Sequence, residues 1–86
     1  MFEWDEDKSE KCRQLRGFGF EVVFEFDFAS AATVEDDRFD YGERRFISFG
    51  LVEGHGYSIV WTPRPPNIRI ISASKAHKKE LKRYGI

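Results

Sequence analysis

RFISFGLVEGHGYSIVWTPRPPNIRIISA, residues 45–73, decides the fold. Apolar and β-branched residues dominate it, and two turn-forming clusters cut it into three runs. Arg45 to Val52 reads as one strand, Glu53-Gly54-His55-Gly56 as a turn, and Tyr57 to Thr62 as a second strand. Pro63 to Asn67 carries three prolines and ends that strand; Ile68 to Ala73 is the third. Successive hairpins predict an antiparallel meander.

Register follows from the turns. Gly54-His55 as a two-residue loop sets Glu53 against Gly56, Arg45 against Arg64, Ile47 against Thr62 and Phe49 against Val60. An even-length loop around Pro65-Pro66 sets Thr62 against Arg69. Side chains alternate along a strand, so Arg45, Arg64, Thr62 and Arg69 are predicted on one face, near one end. Phe46, Ile59, Trp61, Ile68 and Ile70 fall on the other, the better floor for helices. An odd-length loop would flip Arg69. Three arginines on one face call for anions. Acids of residues 35–43 and a bound phosphate both fit, and spacing alone leaves both open.

Outward from the meander, Ala32 to Glu35 reads as a further strand and 36–43 as a polar loop. Phe2 and Trp4 alternate with acids, as in a short opening strand. Residues 6–16 lack Gly and Pro and suit a helix capped by Asp5 and ended by Gly17, with Cys12 and Leu15 as its apolar face. Residues 20–28 fit two periods: Phe20, Val23 and Phe24 at helical spacing, Phe24, Phe26 and Phe28 at strand spacing. The reading adopted is a second helix over 19–27. Residues 75–84 form a basic helix with Ser74 as its N-cap. The sum is an α+β domain: an antiparallel sheet with the N-terminal helices packed on one face, and a C-terminal helix. The chain, 1–86, reads as one domain without repeat or linker.

Net charge is −1, yet the charges are segregated. Residues 1–43 hold thirteen acids and five bases, and residues 61–86 hold seven bases and one acid. One basic and one acidic surface follow, unless the two halves neutralise each other. Cys12 is the only cysteine, which excludes an internal disulfide and fits a reducing compartment. The opening residues are acidic rather than leader-like, and no apolar run approaches the roughly 20 residues of a membrane span. A cytoplasmic protein without membrane partners is the expectation.

Few catalytic chemistries find their residues here. One Cys, with His55 in a turn and His77 on a basic helix, gives no metal-ligand spacing, so neither metal nor cofactor is expected. Asp36, Asp37 and Asp40 suit a solvated loop or Arg partners better than a hard cation. Gly17-Phe18-Gly19 is too short for a dinucleotide loop, and no nucleophile elbow is present. The basic helix, with Lys78, Lys79 and Lys82 near Trp61 and Tyr84, suits either an RNA-binding surface or a solvated face.

Several blocks resemble the BrnT family. They are Phe2-Glu3-Trp4-Asp5 with Lys8; Gly17 and Phe20; and Asp40-Tyr41-Gly42-Glu43 followed by Arg45-Phe46-Ile47 and Gly50. Thr62 and Arg64, Arg69-Ile70-Ile71-Ser72-Ala73, Lys75-Ala76, Glu80 and Tyr84 complete them. The likeness covers about residues 2–84. The chain departs from the family pattern at Cys12, usually Asn, at Leu15-Arg16, usually Lys-His, and at Ser74, often Arg. The resemblance implies a RelE-like fold and the toxin of a type II toxin–antitoxin system, an endoribonuclease that cleaves messenger RNA and inhibits translation. It also implies a BrnA-like DNA-binding antitoxin, through which the complex reaches operator DNA.

Such cleavage uses the RNA's own 2′-hydroxyl on the adjacent phosphate, and fixed cations stabilise the added charge. Arg64 and Arg69 are expected to hold the scissile phosphate, supported by Arg45 or Lys75. Glu43, His77 and Tyr84 are the candidates for proton transfer. The alternative is a non-catalytic module whose basic surface binds nucleic acid or protein.

Overall fold

A computed structural model describes residues 1–86. The chain runs β1 (Phe2–Trp4), α1 (Glu6–Arg16), a 3₁₀ helix (Phe20–Phe24), β2 (Ala32–Glu35), β3 (Phe46–Val52), β4 (His55–Arg64), β5 (Asn67–Lys75) and α2 (Lys78–Arg83). The strands form one sheet in the order β1-β5-β4-β3-β2. The meander is antiparallel, as predicted. The sheet as a whole is mixed, because β1 lies parallel to β5, with Phe2 against Ile68 and Trp4 against Ile70. Hairpin reasoning joins only sequence neighbours, and this edge joins the first strand to the last.

The β3–β4 turn is Glu53-Gly54, not Gly54-His55. Both residues have positive φ, 49° and 81°, as a type I′ hairpin turn demands. Val52 therefore faces His55, Ile47 faces Val60 and Phe49 faces Ser58. Each partner lies two places from the expected one. Arg45 precedes β3 and is not opposite Arg64. A two-place slip leaves every side chain on its predicted face. In the next hairpin Thr62 faces Arg69, as expected, and Arg64 faces Asn67. A bulge then leaves Val60 opposite Ser72 and Trp61 opposite Ile70.

One face of the sheet carries the core. Ile59, Ile70, Ala73 and Val52 meet Cys12 of α1 and Phe20, Val22, Val23 and Phe26 around the 3₁₀ helix. Asp5 caps α1 by accepting from the amides of Asp7 (2.9 Å) and Lys8 (3.3 Å), and Gly17 ends it at φ 85°. Its buried residues are Ser9 and Cys12; Leu15 is 82 % exposed, against expectation. Ser9 replaces it because its Oγ accepts the Phe20 amide at 2.9 Å, tying helix to helix. The expected second α-helix is only the 3₁₀ segment. The amides of Val22, Glu25 and Phe26 donate three residues back, to the Gly19, Val22 and Val23 carbonyls, while Phe20, Val22, Val23 and Phe26 turn inward and Phe24 stays 64 % exposed.

β5 runs to Lys75, so Ser74 is a strand residue and not a helix cap; its Oγ lies 2.8 Å from Ser58 Oγ. α2 starts after His77, whose amide donates to Glu80 Oε1 (3.0 Å). Phe49 and Gly56 lie on the face opposite the core. There the Tyr84 ring stacks on Phe49 (4.7 Å, 13°), and a Cβ at Gly56 would overlap Leu81. α1 and α2 thus flank opposite faces. No helix is long and apolar enough to cross a membrane.

Candidate functional site

The second face of the sheet is covered at its two ends and open between them. Loop 36–45 folds over one end and α2 over the other. The groove they leave has a volume of about 430 Å³. Its floor is Ile47 and Phe49 of β3, Ser58 and Val60 of β4, and Ser72 and Ser74 of β5. Arg38 lines it from the loop; Lys75, His77 and Glu80 line it from the α2 side.

The loop wall is built around one buried acid. The Asp36 side chain is 1 % exposed and receives both arms of Arg38, Nε to Oδ1 at 2.7 Å and Nη2 to Oδ2 at 2.9 Å. Tyr41 donates its hydroxyl at 3.1 Å, and the Asp36 amide donates to the Arg45 carbonyl at 2.8 Å. Buried Thr62 donates to the Arg44 carbonyl at 2.7 Å and pins the loop from below. The Arg38 guanidinium, outweighing burial, holds the Asp36 carboxyl down to about 2.

That depression fixes a pH dependence. A carboxyl lowered on folding adds stability above its ordinary value, near 4, and the gain disappears as pH falls through about 2. Asp36→Asn is expected to lower the urea midpoint relative to wild type at pH 7, with the gap closing steadily below about pH 4. Urea titrations across that range check it; a gap that stays constant contradicts it.

The three arginines singled out above each carry a carboxylate partner, two of them from the acids of residues 35–43. Arg45 lies over the Tyr41 ring (4.1 Å) and donates to Glu43 Oε2 (3.0 Å). Arg64 donates to Glu43 Oε1 (2.9 Å). One carboxylate therefore joins two arginines, and the hydrogen bond from Arg45, then that from Arg64, keeps it below the usual carboxylate range. Arg69 binds outside the expected acids, donating to Glu3 Oε2 at 2.8 Å. It shares the groove's face, where Thr62–Arg69 is the next pair after Val60–Ser72. These pairs are partly exposed and screened by water, so a phosphate can compete for each arginine.

Lys75 reaches the groove, and Tyr84 supports its floor by stacking on Phe49. Lys78, Lys79 and Lys82 are exposed on α2 and make no ion pair. Trp61 lies on the opposite face, stacked on Phe46 (4.8 Å) with its Nε1 donating to Ser48 Oγ (2.9 Å), and is not part of the groove. Arg38 and Ser58 escaped the sequence reading, and Ser72, Ser74 and Glu80 entered it without being placed in a groove. Only the Asp36–Arg38 spacing hinted at the first. No three His, Cys, Asp or Glu side chains converge as a metal donor set.

Residues 4–80 match the family model described as "Ribonuclease toxin, BrnT, of type II toxin-antitoxin system". No individual curated protein matches the chain.

Proposed function

The chain belongs to the BrnT family of type II toxin–antitoxin ribonuclease toxins, and on that premise we propose that it cleaves messenger RNA in the groove between loop 36–45 and α2. The observation that carries this reading is the groove itself. It is an open, hydroxyl-lined floor with Lys75 and His77 on one wall, Arg38 on the other, and Arg69 further along the same face.

The RNA strand lies along this face. Arg69 and Lys75 hold the scissile phosphate, and Arg45 and Arg64 grip the backbone where the loop crosses the sheet. The 2′-hydroxyl attacks the phosphorus, the 5′-oxygen leaves, and a 2′,3′-cyclic phosphate remains. Nucleophile and leaving group both belong to the RNA, so the protein supplies positioned cations and proton transfer. His77 is assigned the proton transfer, because imidazole is the side chain suited to it near neutral pH. Glu43 is occupied by two guanidinium groups and is not used. Tyr84 acts through Phe49 as a positioning residue. Lys78, Lys79 and Lys82 extend the phosphate track.

Translation is thereby inhibited in the cytoplasm. A BrnA-like antitoxin neutralises the toxin by laying acidic side chains on the same surface, and its DNA-binding part takes the complex to operator DNA. Incubation of purified protein with messenger RNA tests the activity. Cleavage leaving cyclic phosphate ends, unchanged by chelator, is the expected result; cleavage that chelator abolishes overturns the mechanism.

A further inference from the structure

Of the chain's arginines, those at 13, 38, 44, 45, 64 and 69 each pair with a carboxylate. Arg16 does not. Arg16 Nη1 donates to the Ala73 carbonyl (3.3 Å) and touches Cys12 Sγ (3.8 Å), so the guanidinium is held by neutral groups and its charge is unquenched. It lines a cavity of about 340 Å³ with Phe18, Ser74 and Lys75, and Lys75 is likewise free of any acid. That volume is in the range that takes a small ligand. Phe18 is half-buried and fixed edge-on to Tyr57 at 5.1 Å. Ser74 and Lys75 also line the groove, so the two spaces meet at these residues.

We infer that this cavity is a subsite for one nucleotide of single-stranded RNA, adjoining the groove. Arg16 and Lys75 take its phosphate, and Phe18 offers the ring on which its base stacks. Two unpaired cations around one small space repel each other unless an anion sits between them, and a guanidinium fork suits phosphate oxygens. An aromatic ring beside the cations adds the sequence-tolerant contact typical of single-strand binding. The subsite rests on the groove reading, since the RNA reaches it past Lys75.

The test is the binding of a labelled, uncleavable 2′-O-methyl RNA oligonucleotide across a salt series. Arg16→Gln keeps a donor for Ala73 and loses the charge. It is expected to weaken binding about fivefold near 0.1 M salt and to lower the magnitude of the log–log salt slope by about 0.7. Arg16→Lys is expected to restore both. Phe18→Leu, which keeps apolar packing against Tyr57, is expected to weaken binding about fivefold or more with the slope unchanged. If Arg16→Gln binds like wild type, or loses affinity with an unchanged slope, the subsite is overturned while the groove stands. If wild type binds no RNA, both fall.

Discussion

Arg69→Ala is expected to slow RNA cleavage by about 100- to 1000-fold, the usual cost of removing one preorganised charge donor from a transition state. Growth arrest on expression should be relieved with it. Arg69 holds β1 to β5 through Glu3, so a loss of activity could also arise from a loosened edge. Glu3→Gln separates the two. It weakens the same ion pair from the other side, and, if Arg69 acts on phosphate, it leaves cleavage at or above the wild-type rate. A parallel loss in both variants assigns Arg69 to structure; full activity in Arg69→Ala removes it from the site.

His77→Ala carries the other large effect. Loss of a positioned general acid or base costs about 100- to 10,000-fold. The Glu80 bond to the residue 77 amide survives, because it uses the backbone, so α2 keeps its start. The decisive readout is rescue by added imidazole. Free imidazole should restore part of the variant's rate if the lost side chain moves a proton. A variant that stays slow at every imidazole concentration would show His77 to be a wall residue and not the proton carrier.

The frame of this molecule was legible because each signal was local. Asp5 and Gly17 bracket α1 with the side chain and the backbone freedom that helix ends require. The alternation from Phe46 onward put the right residues on each face even though the hairpin register was two places off, since parity survives such a slip. Gly54 belongs to either two-residue turn, so the sequence could not say whether Glu53 or His55 shares the turn with it. The missed features are non-local. β1 meets β5 across most of the chain, and Arg69 found Glu3 there instead of an acid in 35–43. Trp61 takes the face that its alternation predicts, against Phe46, and that is not the face α2 covers. The groove exists only because loop 36–45 and α2 fold over the same face, and no spacing in the sequence carries that fact.

The central claim is that RNA is cleaved on the open face, between the loop and α2. Ser72 lies on the β5 side of the groove floor, half-buried and opposite Val60. Ser72→Trp fills the groove without touching the core face. The measurement is messenger RNA cleavage by this variant, with circular dichroism matching the wild type. Cleavage is expected to be abolished; a folded Ser72→Trp protein that cleaves at the wild-type rate would contradict cleavage in the groove.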